Sequence, residues 1–176
     1  MDFHGVRQYY RFSKVRANSM STYTAKIAWK NDAPESFARN QYTRGHVWSF
    51  DGGISVPASS SPHAVRLPWS VEAAVDPEEA LVASAASCHM LTFLWVAAKA
   101  GFNIVAYEDN AVGEMTTGDD GKQWVSTITL DPLIEWIGAP PTSDQLADLH
   151  HNAHAGCYIA NSIKSEIKIS GIELSD

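Results

Sequence analysis

One long apolar stretch in the chain has a sharply marked beginning. Asp76 stands directly before Pro77, and Glu79 follows three positions after Asp76. An aspartate at the N-cap, a proline at the first helical position and a glutamate that bonds back to the cap together form a capping box. We therefore predict a helix over residues 77–100, about 36 Å long at 1.5 Å per residue. Gly101 should end it.

Apolar residues lie on most faces of this helix, which carries Cys88 near its middle. A helix that is apolar all round must be enclosed by other elements. A chain of 176 residues offers few elements for this purpose, so we expect a homodimer in which a second copy covers the helix. Polar residues such as Ser84, Ser87 and Thr92 interrupt the stretch, which predicts a buried helix of a folded domain and no membrane segment.

The segments around this helix predict strands and a second helix. Alternation or turn residues mark strands at 23–29, 46–50, 54–57, 104–115, 124–136 and 165–174, with a loop at 31–40, turns at 51–53 and 118–121, and a bulge at Gly171. Thr142 or Ser143 should cap a second helix to about His154, and a further helical segment should begin at Cys157. Strands, a helix, strands, helices and a strand in this order indicate an α+β domain.

Charge and the first residues of the chain bear on its partners and location. The net charge is −7, of which residues 1–19 carry +3, so the remainder carries −10. An acidic body repels phosphate backbones, which argues against nucleic acid as a partner. We predict residues 1–20 to be a mobile N-terminal extension and residues 21–176 to be the folded domain. The extension lacks the apolar core of a secretory signal, so we expect a cytoplasmic location, where a disulfide is more often catalytic than structural.

The chain contains two cysteines in different settings. Cys88 lies within the apolar helix, which suggests a core position. Cys157 follows Gly156 where a new helix would begin, and backbone N–H groups at a helix start favour a thiolate. This pair suits a nucleophilic thiol and a resolving partner. The simpler interpretation is that each free cysteine is a small buried hydrophobic residue.

A nucleophilic Cys88 in apolar surroundings needs a cation nearby, because burial raises the pKa of a thiol. A guanidinium about 4 Å away is worth about 4 kcal/mol at an effective dielectric constant of about 20. The candidates are Arg39, Arg44 and Arg66, of which Arg44 is best placed because it leads into the strand at 46–50. Glu78 could hold that arginine. The simpler roles are a solvated loop charge for Arg44 and a favourable interaction with the helix dipole for Glu78.

A histidine-rich segment offers a competing hypothesis. His150 and His154 lie one turn apart on the second helix, Cys157 is three positions further on, and His89 could join them in a zinc ligand set. Two observations count against this set: Gly156 should turn Cys157 away from the helical register, and no acidic residue accompanies the histidines as a general base. A zinc-binding module is the lesser alternative.

Three segments together resemble the OsmC/Ohr family of osmotically inducible and organic hydroperoxide resistance proteins. These segments are 76–90, the turn Phe50-Asp-Gly-Gly53, and Cys157 followed by Ala160 and Asn161. The similarity covers roughly residues 21–174.

The resemblance implies an α+β, OsmC-like fold, with antiparallel sheets around a long buried central helix. It also implies an intertwined homodimer whose active sites are built from both chains. In that family Cys88 would be the peroxidatic thiol and Cys157 the resolving thiol. Glu78 would be the glutamate of the Pro-Glu motif, and the catalytic arginine corresponds best to Arg44. The implied activity is a peroxiredoxin-like, thiol-dependent reduction of organic hydroperoxides in oxidative stress defence. No cofactor is implied, and the reductant would be a dithiol such as the dihydrolipoyl group of a lipoylated protein.

Two residues depart from the family pattern. His89 follows the first cysteine where many relatives have phenylalanine, and Tyr158 follows the second where proline is common. The alternative function is therefore a stress-associated, OsmC-like binding or structural protein with weak peroxidase activity.

Overall fold

The computed structural model describes residues 21–174, so the predicted N-terminal extension over residues 1–20 lies outside the described residues. The elements are β1 (Ala25–Ala28), β2 (His46–Phe50), β3 (Ser55–Ala58), α1 (Pro77–Lys99), β4 (Asn103–Asp109), β5 (Val112–Thr117), β6 (Gln123–Leu130), β7 (Pro132–Ile137), α2 (Ser143–Gly156) and β8 (Glu166–Ile169). This order confirms the mixed α+β class. The predicted loop at 31–40 instead contains a short 3₁₀ helix, Pro34–Arg39.

The long helix α1 begins and ends as the sequence predicts. The Asp76 carboxylate accepts a hydrogen bond from the Glu79 backbone N–H at 2.8 Å, and the Glu79 carboxylate accepts one from the Asp76 N–H at 3.1 Å. Ala100 caps the C-terminal end, and Gly101 follows at φ 87°, a left-handed conformation that glycine adopts without strain.

The predicted strands at 104–115 and 124–136 form one long hairpin, but each strand is divided in two. β4 pairs with β7 and β5 with β6, both antiparallel, and the turn lies at 118–121 as expected. The division falls where Asp109 Oδ1 accepts a hydrogen bond from the Asp131 backbone N–H at 2.8 Å. Pro132, which has no N–H to donate, comes next. Both features remove donors from the strand ladder, so regular pairing stops there.

The last strand adds one parallel pair to the predicted antiparallel sheets. β5, β6 and β8 form one sheet in which β8 runs parallel to β6, whereas the sheet β1–β2–β3 is antiparallel throughout. A parallel pair needs a long crossover, and β7 with α2 supplies it. Gly171 is in a turn at φ 72°, not at a bulge, and the Ile172 N–H bonds back to the Ile169 carbonyl at 3.1 Å.

The core consists of two clusters that α1 joins. The N-terminal half of α1 packs Ala85 against β6 and β8, and its C-terminal half packs Phe93 and Ala97 against α2. The buried α1 residues are Ala85, His89, Phe93 and Ala97, which are four apart and form a single face. The sequence predicts a helix that is enclosed on all sides. One chain covers only one face of it, and Leu91 is 62% exposed and Trp95 49% exposed.

By length and composition alone, α1 is apolar enough to cross a membrane, although its polar residues were expected to prevent this. The serine, threonine and histidine side chains are outnumbered by alanine, leucine and valine. Its contacts with α2, β4, β5 and β6 are those of the central helix of a folded α+β domain.

Candidate active site

The two cysteines meet at the junction of the two core clusters. Cys88 lies midway along α1, and Cys157 follows the last residue of α2. The Cys88 sulfur lies close enough to the Cys157 thiol to raise its pKa, and both cysteines are free. Cys157 is buried at 1% exposure, whereas Cys88 is half-buried.

The environment of Cys157 is the opposite of the one expected from the sequence. The helix continues through Gly156, so Cys157 caps its C-terminal end, and only a short 3₁₀ helix, Ala160–Ser162, follows. The negative end of a helix dipole does not favour a thiolate. Burial, together with the neighbouring Cys88 sulfur, raises the pKa of Cys157 to about 11. Cys157 is therefore a protonated thiol at neutral pH.

The two sulfurs therefore differ in the reactions that they can carry out. Cys157 is a weak nucleophile while it is protonated, because the thiolate is the reactive form of cysteine. Cys88 is also the sulfur that has some exposure. The pair can therefore support attack by Cys88 on an external electrophile, followed by disulfide formation with Cys157.

Gly156 allows α2 to approach α1 closely enough for this contact. A Cβ at position 156 would lie 3.0 Å from Thr92 Cγ2, which is closer than side-chain carbons normally pack. The Thr92 hydroxyl donates to the Cys88 carbonyl at 2.9 Å and so has its own place in the site. The sequence interpretation treated Gly156 only as a break. In the sequence, the glycine directly before the second cysteine was the signal that could have revealed this close approach.

Asn161 fixes the backbone on which Cys157 is mounted. Its side-chain amide donates to the carbonyls of Ala155 at 3.1 Å and Cys157 at 2.9 Å. The Ala160 backbone N–H points at Cys157 Sγ at 3.4 Å. Ala160 and Asn161 belong to the motif that carried the family resemblance, and here they close the turn after Cys157.

Beside the thiols, two buried histidines bond to each other. His89 Nε2 and His150 Nδ1 are 3.0 Å apart, and both residues are 1% exposed. Burial, with the neighbouring His150 and His154, lowers the pKa of His89 to about 3. Burial alone lowers that of His150 to about 4. Both rings are therefore neutral at physiological pH. The sequence interpretation grouped these histidines only as possible zinc ligands and did not predict a hydrogen bond between them.

The considered zinc ligand set is not assembled. Within residues 21–174, no group of three or more histidine, cysteine, aspartate or glutamate side chains is arranged to hold a metal ion. His89 and His150 use ring nitrogens on each other. Cys157 makes its contact with Cys88.

Arg44 lies just before β2, as the sequence predicts, and is held by its own loop. Its Nη1 donates to the carbonyls of Asn40 at 3.1 Å and Tyr42 at 2.6 Å, and its Nη2 donates to Asn40 Oδ1 at 2.7 Å. The guanidinium carbon lies 3.8 Å from the centre of the Tyr42 ring. His46 Nδ1 donates to the Arg44 carbonyl at 2.7 Å, because its Nε2 accepts from the Trp48 indole.

Within one chain, Arg44 does not contact Glu78 or Cys88. Across the described part of the chain, no ion pair or hydrogen bond links these residues. Arg44 does share a cleft of about 450 Å³ with Pro77, the neighbour of the half-buried Glu78. Of the other candidates, Arg39 bonds to Ser36 and Gln41 at the surface, and Arg66 is exposed.

The fold and the site define the class of this protein: a mixed α+β domain with two free thiols in contact where α1 meets α2. Comparison with known families identifies the family. The model of the OsmC-like protein family matches residues 70–170. The chain belongs to the OsmC-like family. No curated protein matches the chain.

Solved structures with the same fold extend this comparison. An OsmC-like protein of unknown function from Vibrio cholerae O1 biovar eltor shares 48% identity and a TM-score of 0.81, covering 85% of this chain and 98% of that chain. An organic hydroperoxide resistance protein from Elizabethkingia anophelis shares 15% identity and a TM-score of 0.63, covering 86% and 94%. One from Bacillus subtilis shares 16% identity and a TM-score of 0.58, covering 84% and 96%. The last two likenesses show the fold alone.

Proposed function

We propose that this protein is a thiol-dependent peroxidase that reduces organic hydroperoxides to alcohols. The contact between half-buried Cys88 and buried Cys157 carries the proposal. The raised pKa of Cys157 supports different roles for the two sulfurs, since it keeps this thiol protonated while Cys88 reacts. The names of the organic hydroperoxide resistance proteins from Elizabethkingia and Bacillus agree with this chemistry.

The proposed reaction has two chemical steps. The Cys88 thiolate attacks the terminal oxygen of the hydroperoxide, the O–O bond breaks, and the departing alkoxide takes a proton to leave as alcohol. Cys88 is then a sulfenic acid. Cys157 attacks its sulfur, the S–S bond forms, and the S–O bond breaks as hydroxide leaves with the Cys157 proton as water. An external dithiol, such as a dihydrolipoyl group, then reduces the disulfide by exchange.

The exposed apolar side chains near Cys88 on α1 support an alkyl substrate. Leu91 and Trp95 follow Cys88 at three and seven positions on α1, which puts them near one face, and both are exposed. Phe93, which the apolar pattern of the helix also suggests, cannot contribute because it is fully buried against His150 and Trp136.

We propose that a second copy of the chain completes the site and that the protein acts as a cytoplasmic, intertwined homodimer. The sheet β1–β2–β3 and its turns leave large apolar residues uncovered: Ile27 of β1 is 59% exposed, and Ile54, directly before β3, is 63% exposed. A three-stranded sheet gains stability by covering an apolar face. Covering it with a partner would bring the partner's surface to the cleft that Arg44 and Pro77 line.

Mass spectrometry after one equivalent of cumene hydroperoxide tests the reaction. The wild-type protein should lose two hydrogens to a Cys88–Cys157 disulfide and release one equivalent of alcohol. Cys157→Ser should still release alcohol once and should hold a sulfenic acid at Cys88. Cys88→Ser should reduce peroxide at least 1,000-fold more slowly, because Ser is not ionised at neutral pH. Two free thiols in the peroxide-treated wild-type protein would refute the mechanism.

The placement of Arg44 favours a second candidate: an OsmC-like binding or structural protein with weak peroxidase activity. Asn40 and Tyr42 occupy most of the hydrogen-bonding capacity of its guanidinium, away from Cys88. Turnover with dihydrolipoamide distinguishes the two. Equal rates for the wild-type protein and Cys88→Ser would favour this second function.

A further inference from the structure

The buried pair His89–His150 lies beside the thiols and has no part in the proposed reaction. His89 is the residue after Cys88 on α1, and His150 lies seven residues before Cys157, about two turns along α2. The helices therefore meet at two places, the pair of sulfurs and the pair of rings. These places are adjacent on α1 and about two turns apart along α2.

The geometry of the rings fits one specific hydrogen bond. Their planes differ by 6° and their centres are 5.3 Å apart, so the nitrogens meet edge to edge and in plane. His89 Nδ1 is buried without a partner. A buried unpaired N–H is rarer than a buried unpaired acceptor, so His89 carries its proton on Nε2 and donates it to His150 Nδ1.

This bond is the polar part of an otherwise apolar helix contact. The ring centre of Phe93 lies 4.4 Å from that of His150, and Leu149 and Ala153 of α2 belong to the same core cluster as Phe93. Apolar packing tolerates small changes of side-chain shape, whereas a buried hydrogen bond has one geometry and is expensive to leave unmade. The bond therefore selects one register of α1 against α2.

We propose that the His89–His150 hydrogen bond is a positioning contact that sets the register at which Cys157 meets Cys88. Its catalytic meaning rests on the proposed function, since the closing of the disulfide needs this register. By reciprocity, a contact that favours the joined sulfurs must itself be favoured by the disulfide. The contact should therefore alter the disulfide equilibrium, which a merely structural packing residue would not do.

The test measures the equilibrium of the Cys88–Cys157 disulfide with reduced and oxidised dithiothreitol. His89→Phe keeps a ring against Phe93 but removes the donor, and should disfavour the disulfide about tenfold. His89→Gln keeps an N–H near the position of Nε2 and should stay within about threefold of wild type. Leu149→Ala, a matched control on α2, should lower the free energy of unfolding and leave the disulfide equilibrium unchanged.

A double variant provides the same test if the His89→Phe protein does not fold. The double variant His89→Phe with His150→Leu has no unpaired ring nitrogen and should fold, yet should show the same tenfold loss. A wild-type equilibrium in the double variant would overturn the proposal. The disulfide equilibrium is measured with dithiothreitol and without peroxide, so it does not depend on peroxidase activity. The expected losses in a protein that does not reduce hydroperoxides would therefore support the positioning contact and refute the proposed function.

Discussion

The helical region around the cysteines and the sheet β1–β2–β3 are packed very differently. Between α1 and α2, His89, Phe93, Ala97, His150 and Ala153 are each at most 1% exposed. In the sheet, Ala58 is the one buried residue, and Val47 and Phe50 are each 41% exposed. One chain thus completes the thiol half of the candidate site and leaves the arginine half on an uncovered surface.

This difference indicates where the chain depends on a partner. The helical region takes part in both core clusters, and it buries both its histidine rings and one of its thiols. The loop before β2 holds Arg44 through contacts with Asn40 and Tyr42, and the sheet itself buries almost nothing. We expect changes in the sheet to alter assembly and activation, and changes between the helices to alter stability and disulfide chemistry.

The largest effect should come from a charge on the exposed sheet. Ile27→Lys would put an ammonium in the apolar surface that a second copy should cover, and we expect it to weaken the dimer at least about 100-fold. Sedimentation should then give a species near the 19.2 kDa monomer mass at micromolar concentration. Lys26→Ala, the adjacent position on the other face of β1, should leave the dimer intact. A wild-type protein that is already monomeric would refute the dimer.

Arg44→Ala tests the activating cation, and we expect it to slow hydroperoxide reduction about 10- to 100-fold by raising the pKa of Cys88. Glu78→Gln should give a smaller loss that is not additive with Arg44→Ala, as expected for residues of one network. Arg39→Ala, a surface arginine from the same segment, serves as the control. Unchanged rate and thiol pKa in Arg44→Ala would exclude this role.

Mixed dimers show which chain supplies the arginine. If Arg44 acts on the partner's thiol, co-refolding Arg44→Ala chains with Cys88→Ser chains should restore about a quarter of the wild-type activity, since half of the dimers would hold one complete site of two. Activity no higher than that of the separate variants would contradict a shared site.

The neutral histidine pair predicts how stability depends on pH. The pKa values of His89 and His150 in the folded chain are about 3 and about 4, below the ordinary 6.5. Between these values and pH 6.5, the unfolded chain binds more protons. The free energy of unfolding is therefore highest above pH 6.5, and falls by about 1.4 kcal/mol per pH unit for each ring as the pH drops.

His89→Phe removes one of these rings, so its loss of stability between pH 7 and pH 5 should be about 2 kcal/mol smaller than that of the wild type. Urea unfolding at the two pH values measures both losses. Equal losses would show that His89 does not stay neutral in the folded protein.

The smallest effect concerns the close approach of the helices. Gly156→Ala would put a methyl group 3.0 Å from Thr92 Cγ2, and we expect it to cost about 1 kcal/mol of stability and to slow disulfide formation. Thr92→Ser removes the opposing methyl group and keeps the hydroxyl that bonds to the Cys88 carbonyl. The double variant should therefore recover. A double variant as impaired as Gly156→Ala would exclude this contact as the cause.

Short-range signals in the sequence were sufficient for much of the fold. The capping box at Asp76 and the glycine at 101 defined α1 nearly to the residue, and Thr142 did the same for the start of α2. Caps and turns depend on hydrogen bonds between residues three or four positions apart, so the local sequence contains the information. The family resemblance, carried by three short segments, was also visible in the local sequence.

Tertiary structure alone decided the character of the site. The sequence interpretation put Cys88 in the core and Cys157 at a favourable helix start, whereas the structure buries Cys157 at the C-terminal end of α2. The His89–His150 bond joins residues 61 positions apart, and the parallel β8 depends on a crossover through α2. Burial and pKa depend on which distant surfaces meet, and no local pattern of residues specifies that. The sequence by itself determined the helices and the presence of two thiols. The packing of α2 against α1 decided that Cys157 is buried and protonated at neutral pH, and that it lies beside Cys88.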